Sequence, residues 1–225
     1  MSENRSLSID VISDVMCPWC FIGQKNLERA LEQVRDIDVA IHWRPYQLDP
    51  TLPPEGKDRQ TYLEEKFGSR ERAQALYDRV REAGRDAGID FKFDRIEKSP
   101  NTLDAHRVIR WAASAGEGVQ DKLVRRLFEL YFLEGANIGS HAVLIQAARE
   151  SGMDSAVVET LLPTEADLQE VSQEVGTAQK MGVTGVPCFL LEGKYALMGA
   201  QPPEALADAI RKVSDAKAAG ALDQP

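Results

Sequence analysis

The chain is short of what a metal centre, a membrane segment or a nucleic-acid surface would need. Its 225 residues include only three cysteines and three histidines. A structural zinc site takes four such ligands, commonly as two close pairs. Cys17 and Cys20 form one pair, but Cys188, His42, His106 and His141 supply no second, so no metal is expected. No stretch approaches the ~20 apolar residues of a membrane-spanning helix. The N-terminal "MSENRSLSIDVISDV" lacks the basic segment and long apolar run of a secretory leader. Basic residues are outnumbered, 27 Lys and Arg against 36 Asp and Glu, for a formal net charge of −9. Neither nucleic acid nor an anionic membrane is therefore an expected partner. There is no internal repeat and no low-complexity segment. With 43% apolar and 28% charged residues, the chain reads as a soluble globular protein. Its expected address is the cytoplasm, where lasting structural disulfides are rare. Monomer and homodimer both remain open.

What is present starts with period. "LSIDVISDV", Leu7 to Val15, alternates and reads as a strand. From Phe21 the period changes, with Leu27, Leu31 and Val34 at helical spacing, so residues 20–34 read as a helix. "VAIHWRPY", Val39 to Tyr46, is a second strand, and the intervening helix makes the pair parallel. "QLDPTLPPEGKD" is a connector. Residues 59–181 are helical in pattern, five to seven helices, with stripes at Ala73, Leu76, Tyr77, Val80 and Ala83 and at Val119, Leu123, Leu127, Leu130 and Tyr131. Strand character returns in "PCFLLE" (187–192) and at Tyr195 to Met198, a hairpin around "EGKY". A last helix starts at Pro202 or Pro203, and the tail "SDAKAAGALDQP" is expected to fray. The order β-α-β, helical insertion, β-β-α lets the two ends of the chain share one sheet.

The cysteine pair falls at the strand-to-helix turn, in "SDVMCPWCFIGQKNLERAL". A disulfide at this spacing closes too small a loop to stabilise much, and two unrelated core cysteines sit poorly with Pro18 and Trp19 between them at a helix start. A thiolate there faces unpaired N–H groups and the positive end of the helix dipole. This favours a redox pair, with an exposed Cys17 attacking and Cys20, inside the first turn, resolving the mixed disulfide. A second stretch, "MGVTGVPCF", puts Pro187 at the start of a strand, where it cannot donate to the ladder. A cis Val186–Pro187 bond would free the Val186 backbone to pair with an extended substrate; a trans proline fits the local sequence as well. Cys188, facing away from Pro187, is expected to be a buried, inert thiol.

Taken with "NTLDAHR" (101–107) and "GVTGVPCFLLEGKYALMGAQPPEAL" (182–206), these stretches resemble the thioredoxin superfamily, its DsbA-like branch and, within it, the FrnE-like oxidoreductases. The resemblance spans residues 7–213. It implies an α/β thioredoxin fold with a large all-helical insertion: residues 1–58 plus 182–225 as the thioredoxin-like domain, and 59–181 as a cap whose last helix packs on the sheet. It implies Cys17 as nucleophile, Cys20 as resolving thiol and Pro187 as a cis-proline facing them. Pro18 and Trp19 would tune the potential, and Trp19 would offer substrates an apolar face. The activity implied is thiol-disulfide oxidoreductase or isomerase on disulfide-containing proteins or small-molecule thiols. No tightly bound cofactor is implied, and glutathione or a thioredoxin-like donor would be the reductant. Two departures matter. The buried acid of thioredoxin and DsbA, six residues before the first cysteine, is Val11 here, so another group or water must relay protons. Trp19 replaces the histidine between the cysteines of DsbA, so a weaker oxidant is expected.

A related branch, the kappa-class glutathione transferases and 2-hydroxychromene-2-carboxylate isomerases, shares this architecture but typically carries serine at the first position and binds glutathione. A glutathione-dependent isomerase or transferase acting on a small aromatic compound is therefore the competing activity. A redox-sensitive chaperone with an apolar cleft is a third. Asn101, His106 and Gln201 are candidate cleft-lining residues, although Asn101 also suits a helix cap and His106 packing beside it. Arg107 and Arg110 would either neutralise an acidic ligand, such as a glutathione carboxylate, or form ordinary surface or inter-helix pairs.

Overall fold

The structure is a computed structural model that describes residues 6–223. The first five residues of the N-terminal stretch and the last two of the expected frayed tail lie outside that range. Strand β1 (Ser6–Ser13), helix α1 (Pro18–Gln33) and strand β2 (Asp38–Pro45) open the chain. Strands β5 (Cys188–Leu191) and β6 (Tyr195–Met198) and helix α9 (Pro203–Ala218) close it. The four strands form one sheet in the order β2-β1-β5-β6. Strand β1 runs parallel to β2, pairing Val11 with Trp43, and antiparallel to β5, pairing Val11 with Phe189 and Ile12 with Cys188. Alternation along β1 buries Leu7, Ile9 and Val11, and α1 and α9 pack beside each other, with α9 against β1.

Between β2 and β5 lie β3 (Lys57–Asp58), α2 (Arg59–Phe67), α3 (Arg70–Asp86), β4 (Lys98–Ser99), α4 (Leu103–Ala112), α5 (Val119–Glu129), α6 (His141–Ser151), α7 (Ser155–Leu161) and α8 (Leu168–Lys180). Helix α5 runs on into a π turn, Leu130–Glu134, which keeps Leu130, Tyr131 and Phe132 buried. Helix α8 packs on β2. The insertion and the sheet share one core. The Phe21 ring of α1 stacks on Phe128 at 5.2 Å between centroids and meets Phe91 edge-on at 5.9 Å, geometries that add to burial.

Three details differ from the sequence reading. Helix α1 begins at Pro18 rather than Cys20, because proline's fixed φ and missing N–H suit the first helical position. Helix α9 continues through "SDAKA" to Ala218, anchored by buried Val213 and Ser214 and by the high propensity of alanine and lysine. The ribbon β3–β4 joins two dipeptides, 57–58 and 98–99, too short to leave a period in the sequence.

Candidate active site

Strand β1 delivers the chain to a tight turn in which the Cys17 N–H donates to the Asp14 carbonyl at 2.9 Å. Cys17 is then the extended N-cap residue of α1, with Pro18 at the first helical position. Its carbonyl accepts from the amides of Cys20, at 3.0 Å, and Phe21. The two cysteines therefore stand one turn apart on the same helix end, and both thiols are free. Facing them, the Val186–Pro187 peptide is cis. The Cys17 thiol points to the Val186 carbonyl at 3.8 Å, and Pro187 is buried beneath. Close approach is allowed by Gly23 on α1: a Cβ there would lie 2.7 Å from Pro187 Cγ, so any larger residue would push the proline away from the dithiol. Cys188, next in sequence, turns to the other side and packs with Ile12, Ala178 and Val183.

Burial pushes the Cys20 thiol well up from its ordinary range, and the neighbouring Cys17 adds to this. The Ser13 hydroxyl and Asp14 amide beside its sulfur pull the other way. That hydroxyl is buried with no hydrogen-bond partner of its own, so it is available to a Cys20 thiolate. Burial also raises the Cys188 thiol.

Cys17 is not the exposed residue the sequence suggested. It is 3% exposed, while Trp19 stands out at 41%. The cover comes from the helical insertion. Helices α2 and α3 roof a cavity of about 420 Å³ lined by Met16, Cys17, Pro18, Trp19, Leu48, Val186 and, from the roof, Arg59, Tyr62, Leu63, Lys66, Phe67, Leu76, Tyr77, Arg79 and Val80. Leu76, expected in the core stripe, is 42% exposed at this cavity. Arg59 is buried in the roof, and nothing in its position at a connector-to-helix junction marks it in the sequence.

Asn101, His106 and Gln201 do not line this cavity. The Asn101 carbonyl oxygen accepts from the Leu103 amide at 2.9 Å and from Gln47 at 3.1 Å, and its amide donates to the Leu52 carbonyl at 2.6 Å; it holds the first amide of α4, one residue before the Thr102 N-cap, and ties down the connector. His106 is buried with Nε2 3.5 Å from the fully buried Asp14 carboxylate. Gln201 donates to the Met198 carbonyl and accepts on its own carbonyl from Asn26, fixing the turn after β6. Asp14 is a residue the sequence reading passed over. Its carboxylate accepts from the Leu48 amide at 2.7 Å and the Met16 amide at 3.4 Å. An Asp two residues before the amide it binds, at a strand end, is a turn signal that could have been read. Val11 stays in the sheet, as its strand period requires.

Arg107 ties α4 to the end of α7 and the loop beyond it through main-chain carbonyls, and Arg110 makes inter-helix ion pairs. Arg107 donates to the carbonyls of Leu161, Leu162, Thr164 and Ala166 and to Asp104 at 2.7 Å; Arg110 pairs with Asp167 and Glu174. Among the described residues no three His, Cys, Asp or Glu side chains converge on a metal position, and no helix is long and apolar enough to cross a membrane.

A family model described as a DSBA-like thioredoxin domain matches residues 8–211. The chain is 26% identical over 207 residues to the uncharacterized protein YwbO of Bacillus subtilis, covering 91% of this chain and 96% of that one. The structure is similar to that of a probable DsbA oxidoreductase from Streptomyces coelicolor, with a TM-score of 0.81 and 28% identity over 92% of this chain and 89% of that one. It also shares its fold with the cytosolic disulfide reductase DsbM from Pseudomonas aeruginosa with GSH, with a TM-score of 0.59 and 19% identity over 94% and 98% of the two chains.

Proposed function

The chain belongs to the DSBA-like thioredoxin family, a family of thiol oxidoreductases, and we propose that it is a thiol-disulfide oxidoreductase or isomerase working through the Cys17–Cys20 dithiol. The observation that carries this reading is the placement of the Cys17 sulfur at the start of α1, 3.8 Å from the Val186 carbonyl at the cis peptide, with Cys20 in the same helical turn. The helix dipole favours negative charge at Cys17, and the Val186 backbone offers a substrate a strand-like partner. Cys17 thiolate attacks one sulfur of a substrate disulfide and expels the other as a thiolate. Cys20 then loses its proton, attacks Cys17 and releases the second thiolate, leaving the enzyme disulfide. Its burial makes this proton loss the demanding part of the second step.

Glutathione or a thioredoxin-like donor returns the pair to the dithiol, and a cytoplasmic address completes the reading; the DsbM neighbour, described as cytosolic and holding GSH, supports both. Trp19, in place of a histidine, fits a pair less oxidising than DsbA. Pro18 and Trp19 complete the dithiol segment. The test is disulfide turnover in two variants. Cys17→Ser is expected to fall to the uncatalysed background, and Cys20→Ser to accumulate mixed disulfides on Cys17. Unchanged turnover in Cys17→Ser would overturn the proposal. A redox titration in glutathione buffers, followed by the fluorescence of Trp19, then assigns the direction of electron flow. The covered, apolar cavity favours one second reading, a glutathione-dependent isomerase or transferase of a small aromatic compound. In that case activity survives in Cys20→Ser and no net oxidation accompanies it.

A further inference from the structure

We propose that the cavity over Cys17 selects low-molecular-weight disulfides whose halves carry a carboxylate, with Arg59 holding the acid and Cys17 attacking the sulfur. The inference rests on the oxidoreductase reading and adds the substrate class. The chain carries a net charge of −9, yet the cavity wall contains three cations, Arg59, Lys66 and Arg79, and no carboxylate. Arg59 is 7% exposed, and its guanidinium donates only to hydroxyls: Tyr77 at 2.6 Å, Tyr131 at 3.0 Å and Ser99 at 3.4 Å. Among the described residues it has no carboxylate within 4 Å. Burial raises the phenols of Tyr77 and Tyr131, the latter to about 12, so both are neutral at physiological pH and supply no counter-charge.

Of the nearby acids, Asp14 accepts from the amides of Met16 and Leu48; Asp49 accepts from Thr51 and faces Tyr62 and Lys66 of the wall, so it offsets Lys66 and leaves Arg59 without a carboxylate. A larger groove of about 620 Å³ also borders Arg59, but beside Arg70 and Arg81 it carries Asp58, Glu64, Asp94 and Glu97, and it lacks the cysteines. A buried guanidinium gains most from a bidentate carboxylate. The other requirement is size. Cys17 is almost wholly covered, and about 420 Å³ is the scale of a small-molecule site, not of a folded loop bearing a protein disulfide. The step balances as the proposed cycle does: the substrate disulfide takes two electrons and leaves as two thiols, and the Cys17–Cys20 dithiol becomes a disulfide.

The experiment is stopped-flow oxidation of the reduced full chain, followed by tryptophan fluorescence, with three probes: dithiodipropionic acid (dianionic), hydroxyethyl disulfide (neutral) and cystamine (dicationic). Each rate is divided by that of the same probe with mercaptoethanol, which removes intrinsic reactivity. The dianion is expected to exceed the neutral probe by about tenfold or more, the scale of a charge-assisted hydrogen-bonded pair, and cystamine to be slowest. Arg59→Gln is expected to bring the ratio of the dianion rate to the neutral rate down to about one, and Arg59→Lys to restore part of it. Glutathione disulfide, in a fourth arm, separates a tripeptide source of the carboxylate from a smaller acid; a preference for either over the neutral probe supports the site. Equal normalised rates for the three probes in the unmodified protein overturn the inference, whatever the variants do. So does an Arg59→Gln variant that slows every probe alike. Failure of all probes to oxidise the pair instead overturns the oxidoreductase reading itself.

Discussion

Two regions of the helical insertion each bury an arginine, and they treat the charge in opposite ways. Between α4 and the end of α7, Arg107 is 1% exposed and fully engaged. It donates to four main-chain carbonyls, pairs with Asp104 at 2.7 Å and lies over the Trp111 ring. Those carbonyls come from the end of α7 and the loop beyond it, where a helix leaves acceptors unpaired and a cation is favoured. In the roof over Cys17, Arg59 meets only hydroxyls and the faces of Tyr77 and Tyr131, at 5.2 and 5.9 Å. Burying a charge is costly unless it is paired. The first arginine is thus spent on holding two segments together. The second has its charge unmatched by any carboxylate among the described residues, and it sits in the wall of the cavity that also contains Cys17.

The sharpest way to break this contrast is to remove the engaged arginine. Arg107→Met strands the carbonyls of Leu162, Thr164 and Ala166, while that of Leu161 still accepts from Thr164, and it leaves Asp104 without its closest cation. A loss of about 3 kcal/mol is expected, read as a lower urea midpoint with unchanged slope. The relative rates with acidic and neutral disulfides should stay as they were. If Arg107→Met unfolds nothing but changes that selectivity, the two regions have been assigned the wrong way round.

The next effect belongs to the Cys17 side alone. Because burial raises the Cys20 thiol, the reduced native state holds that proton more tightly than the unfolded chain. The sign follows from linkage. The stabilisation is fully present below the unfolded thiol pKa of about 8.5 and is lost as pH rises towards the folded value, at up to about 1.4 kcal/mol per pH unit. Urea midpoints of the reduced protein should therefore fall above pH 8.5, and Cys20→Ala should flatten that fall. Cys188, also raised by burial, contributes a smaller part that Cys188→Ala removes. A midpoint independent of pH across this window would contradict the buried environment of Cys20.

These regions also divide in how they could be read from the sequence. Cys17, Pro18, Trp19, Cys20 and Gly23 fall within seven residues of one another, and Val186 to Cys188 form one strand entry, so local period and turn chemistry mark each segment, while the family resemblance is what sets them face to face. The parallel pair of β1 and β2 and the hairpin of β5 and β6 follow from the same elements. The roof has no such signature. Tyr77 and Leu76 sit in a helical stripe indistinguishable from core, and Arg59 is one of many arginines on a polar helix start. Their meaning arises only when α2 and α3 fold back over α1. Cover over Cys17 is likewise a tertiary fact, which is why local chemistry alone suggested an exposed thiol. His106 and Asn101 illustrate the converse. Polar residues near a motif attracted a cleft role, while their nearest partners are Asp14, Leu52 and the α4 amide.

The smallest expected effect is the most informative about the roof. Arg59→Met keeps the length and much of the apolar contact of the arginine stem while deleting the charge. It removes three hydrogen bonds to hydroxyls, but Tyr131 keeps the Lys98 carbonyl as an acceptor at 3.2 Å, and the variant no longer has to bury a cation without a carboxylate partner. The two terms oppose each other, so a stability change of only about 1 kcal/mol is expected, with either sign allowed. Thermal unfolding of Arg59→Met beside Arg107→Met makes the comparison directly. A large loss at Arg59 would mean that this arginine, too, is a structural brace, with the roof depending on it for its shape. A small one, with the loss of preference for acidic disulfides, would mean that the fold carries a buried charge it does not need for its own stability, held beside the thiol that attacks.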